Sequence, residues 1–154
     1  MHGSRGRRPP RSVLLVLTAT AALIALDGAT TAWAWTTRYG HVGAPDRALQ
    51  PGCHHYRYHY VVQAPGDDWL LETWLYDPRG KPRGSGAFAP GSDPRRGHGH
   101  FGVCRSTVVP GRFTIRARVA WYTPGMLPTD SPVEHQRWFR PAHFRLHPLS
   151  RRLR

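Results

Sequence analysis

The chain is poor in several residue types, and each shortage argues against a class of function. It has one lysine (Lys81), no asparagine, two cysteines, and nine acidic residues against 22 basic ones. Two cysteines cannot close a four-thiolate zinc site, and Cys53 and Cys104 lack the close spacing such sites use. Glu72 and Glu134 are the only glutamates, a thin supply for the paired carboxylates of a glycosidase. Beyond residue 34 the serines are Ser85, Ser92, Ser106, Ser131 and Ser150, and none sits in a G-x-S-x-G elbow. No H-E-x-x-H metal motif occurs. These shortages point to a protein that is not an enzyme and needs no cofactor. With 15 Pro and 16 Gly in the chain, amphipathic helix is not expected beyond residue 34.

What is there begins with an export signal. Arg5, Arg7, Arg8 and Arg11 precede the apolar run Val13–Leu26, which ends at Asp27-Gly28 and leads into Ala32-Trp33-Ala34. A basic segment, an apolar segment and an A-x-A site, in that order, mark a signal peptide over residues 1–34. The run is shorter than the roughly 20 residues of a spanning helix, so membrane attachment would come only through an uncleaved signal. The expected localisation is secreted or extracellular, at or near the cell envelope. In an oxidising compartment Cys53 and Cys104, with no third thiol, form one disulfide. It would close a loop of about 50 residues, contribute roughly 4 kcal/mol by the chain-entropy argument, and lock two layers across their middle.

The remaining chain reads as strands and turns. Residues 35–52 form a Gly/Pro-broken lead-in with a short strand near Thr36–Val42. Tyr56, Tyr58, Tyr60 and Val62 alternate with Arg57 and His59, the period of a half-buried strand. Trp69–Asp77 is apolar on both faces, as a central strand would be. Asp77-Pro78-Arg79-Gly80 turns the chain, and a short edge strand is expected around Phe88. Gly91–Gly99 reads as a polar loop, with strand resuming at His100. In Arg112–Thr123, Phe113, Ile115, Ala117, Val119 and Trp121 point one way and Thr114, Arg116 and Arg118 the other. A last strand or pair of strands covers Val133–Leu146, broken at Pro141. The domain organisation is signal 1–34, lead-in 35–52, β-sandwich 53–148 and basic tail 149–154. The fold class is all-β, an antiparallel sandwich of about seven strands behind an N-terminal signal helix.

The hairpin Val108-Val-Pro-Gly-Arg-Phe-Thr-Ile-Arg-Ala-Arg-Val119, the Asp77-Pro78-x-Gly80 turn and the two-cysteine layout carry a resemblance. Over residues 54–147 the chain resembles small secreted immunoglobulin-like proteins of high-GC Gram-positive bacteria, most of them of unknown function. The resemblance implies an immunoglobulin/fibronectin-like sandwich. Gly102 stands where antibody domains carry a Tyr two residues before the second Cys, which separates this chain from them.

Three functional readings follow. The first is a non-enzymatic binding or accessory module contacting a surface partner through exposed aromatics beside arginine. Trp74 and Tyr76, on the second face of an already apolar strand, with Arg57, Arg116 and Arg118, form the candidate patch. The second is arginine-driven binding of a polyanion, an anionic cell-surface polymer or nucleic acid, in keeping with the net charge of +13. The arginines are spread along the chain, as coding bias in a GC-rich genome gives, whereas nucleic-acid footprints cluster, so no specific nucleic-acid partner is expected. The third is a metal site built on His98 and His100, which would share a strand face with a third histidine from a neighbour.

Overall fold

The structure, a computed structural model, describes residues 37–127 and 129–149. The expected signal at 1–34, its helix, and residues 150–154 of the basic tail lie outside the described residues. Among the described residues nine strands run in chain order: β1 (Gly40–Gly43), β2 (Arg47–Ala48), β3 (Cys53–Val62), β4 (Trp69–Tyr76), β5 (Pro82–Phe88), β6 (Arg96–Cys104), β7 (Gly111–Thr123), β8 (Val133–Trp138) and β9 (Ala142–His147). No α-helix occurs among the described residues. The strands form two sheets, one ordered β1-β3-β6 and the other β2-β9-β7-β4-β5, with β8 also paired to β7. The described residues are therefore all-β, in two sheets.

The period-two patterns hold in the strands that carry them. Tyr56, Tyr58 and Tyr60 of β3 are buried between exposed Arg57 and His59, and β7 buries Phe113, Ile115, Ala117, Val119 and Trp121. β4 lies between β5 and β7, and its second face, with Leu70, Glu72, Trp74 and Tyr76, is half-buried. Both sheets supply one continuous core. Tyr58 Oη of β3 and Thr73 Oγ1 of β4 meet across it at 2.8 Å, and Thr73 Oγ1 donates to the Gly86 carbonyl at 3.3 Å. Buried Thr73 is thereby satisfied, as a buried hydroxyl must be.

Three sequence expectations differ from what is observed. First, the Cys53–Cys104 disulfide is present, but it does not tie the layers together. The two cysteines face each other in register at the end of the antiparallel pair β3/β6, within one sheet. Second, β6 starts at Arg96, so Gly97 and Gly99 are not loop residues. A Cβ on Gly99 would sit 2.4 Å from Tyr58 Cζ, and one on Gly97 would sit 2.5 Å from Tyr60 Oη. The glycines make room for tyrosine rings crossing the sheet, a close-approach role that a turn signal imitates. Third, the described residues hold nine strands where about seven were expected: Val133–Leu146 takes the two-strand form, and β2 adds a strand within the lead-in. β9 pairs with Gly111–Ile115 and β8 with Arg118–Thr123 of the same strand. Phe139, fully buried at the break, donates its amide to the Ala117 carbonyl. The lead-in is also folded: β1 pairs with β3, β2 runs parallel to β9, and Leu49 is fully buried.

Candidate binding surfaces

The outer face of the larger sheet is assembled by register. Trp74 of β4 stands opposite Arg116 of β7, Glu72 opposite Arg118, and Tyr76 opposite Thr114. Across the other side of β7, Arg118 stands opposite Trp138 of β8. The Arg118 guanidinium lies 5.9 Å from the Trp74 ring centre and 5.7 Å from that of Trp138. The two indoles are 5.4 Å apart. Arg116 sits over Tyr76 at 5.1 Å. These distances are within reach of a cation–π attraction.

Arg118 is fixed further by Glu72, which it meets through both Nε and Nη2, and by Gln136 Oε1 at 2.9 Å. Glu72 is thus occupied in holding an arginine beside two rings that also touch each other. Arg112 and Arg116 have no carboxylate partner among the described residues, and with Tyr76, Asp77 and Thr114 they line a shallow hollow. The positive character of this end is registered by His143, 3.0 Å from Thr114 Oγ1. Partial burial, then Arg112 and Arg140, push its pKa below the usual histidine value. The arrangement offers half-buried ring faces beside guanidiniums and can take a ligand with flat rings and negative groups.

The structure brings Trp74, Tyr76, Arg116 and Arg118 together and places Arg57 elsewhere, on the outer face of the three-stranded sheet. Trp138 belongs to the aromatic face but was not among the sequence candidates. Its register opposite Arg118 comes from pairing between β7 and β8, which no local pattern displays.

Arg57 has different neighbours. His59 of β3 stands opposite His98 of β6, and Arg57 opposite His100. The His55 and His100 rings are 6.5 Å apart, and the His41 and His59 rings 6.0 Å apart. All five histidines are exposed. Partial burial, then His41 and His98, lower the pKa of His59. His98 and His100 share a face as expected. Among the described residues, however, no three His, Cys, Asp or Glu side chains are grouped to hold a metal ion.

Comparison with protein-family models and with curated proteins finds no match for this chain.

Proposed function

We propose that the chain is an exported, non-catalytic binding module of the immunoglobulin-like class, and that its aromatic–arginine face holds an anionic, sugar-ring-bearing partner at the cell surface. One observation carries the reading: the Trp74–Arg118–Trp138 cluster, continued by Tyr76 and Arg116. Holding Arg118 with a carboxylate and an amide pre-organises the ring faces before a ligand arrives, which reduces the ordering cost of binding.

The class assignment is supported by strand order. A β1-β3-β6 sheet opposite β5-β4-β7-β9 parallels the split of an immunoglobulin domain, with β5 in the place of the extra strand of variable domains. The disulfide departs from the antibody pattern, since it stays within one sheet. Export is supported by the three-part leader and by a disulfide that suits an oxidising compartment.

The test is affinity for immobilised anionic polysaccharide, using protein recovered from the medium, whose first residue is expected to be Trp35. Trp74→Ala should weaken binding about tenfold, in line with the loss of one stacking ring. Neutral polysaccharide should bind less than the anionic form. Unchanged affinity of the Trp74→Ala protein would remove the reading.

A further inference from the structure

The second sheet has its own chemistry, separate from the aromatic face. Its outer surface presents His41 from β1, His55, Arg57 and His59 from β3, and Arg96, His98 and His100 from β6, all exposed. None of these strand positions carries a carboxylate. Asp46 borders the face beside His55 and Arg57, where it accepts the Arg145 amide and lies 3.7 Å from His147 Nε2. Asp93, in the turn before β6, is bonded to the Ala89 amide and the Ser92 hydroxyl. The face therefore gathers two arginines and five imidazoles, and imidazole is the side chain suited to gaining a proton just below neutral pH.

We propose that this face is a second binding surface, for a linear phosphodiester polymer, and that proton uptake by its histidines turns binding on. Geometry favours that occupant. His55-Arg57-His59 and His100-His98-Arg96 form two parallel rows, and same-face neighbours on a strand are about 6.8 Å apart. An extended chain covers about 3.5 Å per three bonds, so the six-bond repeat of a phosphodiester polymer delivers one negative charge at about the same interval. The rows follow two neighbouring strands over several residues, which suits an extended chain better than a small ion. The large apolar side chains exposed elsewhere, such as Met126, Leu127 and Val133, are missing from it, so nothing there would enter a bilayer. Bound phosphates would favour the imidazolium form, so binding and proton uptake reinforce each other.

The experiment measures binding of a fluorescent abasic phosphodiester oligomer to the full exported protein at about pH 7.5 and about pH 5.5. At fixed salt the affinity should rise at least about tenfold on acidification, with a steeper salt dependence as more phosphates are neutralised. The variant His59→Gln/His98→Gln/His100→Gln should lose most of that rise. Arg57→Gln should weaken binding at both pH values and keep the rise. Trp74→Ala should keep it in full, which separates failure here from failure of the aromatic-face reading. Circular dichroism confirms that each variant folds. Equal affinity at the two pH values, a full rise in the folded histidine variant, or stronger binding to anionic vesicles than to the oligomer would each overturn the proposal.

Discussion

At the scale of single residues, Asp77 shows how a turn can hold a buried charge. Its carboxylate accepts the Arg79 amide at 2.8 Å, the Lys81 amide at 2.9 Å and Arg83 Nε at 2.8 Å. Burial alone would push its pKa up, but the Lys81 amide, Arg83 and the Arg79 amide outweigh it and hold the carboxyl below its usual 3.8. A folded-state pKa below the unfolded one contributes stability that is present above the usual carboxylate range and is lost as pH falls through it. Asp77→Asn should cost about 2 kcal/mol, the scale of hydrogen bonds to a charged group, in denaturant unfolding at neutral pH. The variant should also lose part of the acid sensitivity seen below about pH 4.

At the scale of elements, β6 is shaped by what lies beneath it. Gly99→Ala should destabilise the fold by about 1–3 kcal/mol, because its Cβ would overlap the Tyr58 ring and force repacking. Gly102, three residues on in the same strand, has only His55 Cε1 nearby, 3.9 Å from where a Cβ would sit. Gly102→Ala should leave stability within about 0.5 kcal/mol, and thermal melts of the two variants compare a filled site with an open one. The disulfide acts on the same pair of strands. Joining residues 51 apart in sequence limits the unfolded chain, and Cys53→Ser/Cys104→Ser should lower stability by up to about 4 kcal/mol. Because the link lies within one sheet, the double variant should retain the two-layer core and its near-ultraviolet aromatic signal.

At the scale of the whole molecule, charge is divided between two surfaces with different responses to pH. The aromatic face relies on arginine, which stays protonated throughout, while the opposite face carries histidine. Partial burial and neighbouring positive or proton-binding groups lower the pKa values of both His59 and His143. For a histidine held below its unfolded value, the unfolded chain takes up the proton first as pH falls. Stability therefore declines as pH drops through about 6.5. Melting temperature should fall between about pH 7.5 and pH 5.5, and His59→Gln/His143→Gln should reduce the fall. If the histidine face binds as proposed, the phosphodiester oligomer should raise the melting temperature more at the lower pH than at the higher one.

The sequence by itself determined which way side chains point within β3, β4 and β7. Successive residues of an extended chain face opposite sides, so the alternation of apolar and polar residues is a local property. It also determined that Cys53 has only Cys104 to pair with. Tertiary structure alone decided which strands lie side by side, because backbone hydrogen bonds are chemically alike at every residue and name no partner. Trp138 beside Arg118 and His59 beside His98 follow from that pairing, as do the split of β8 from β9 and the separation of Arg57 from Trp74. The glycines of β6 lie between the two cases. They are visible in the sequence but resemble a loop until the Tyr58 and Tyr60 rings above them supply the steric reason for their presence.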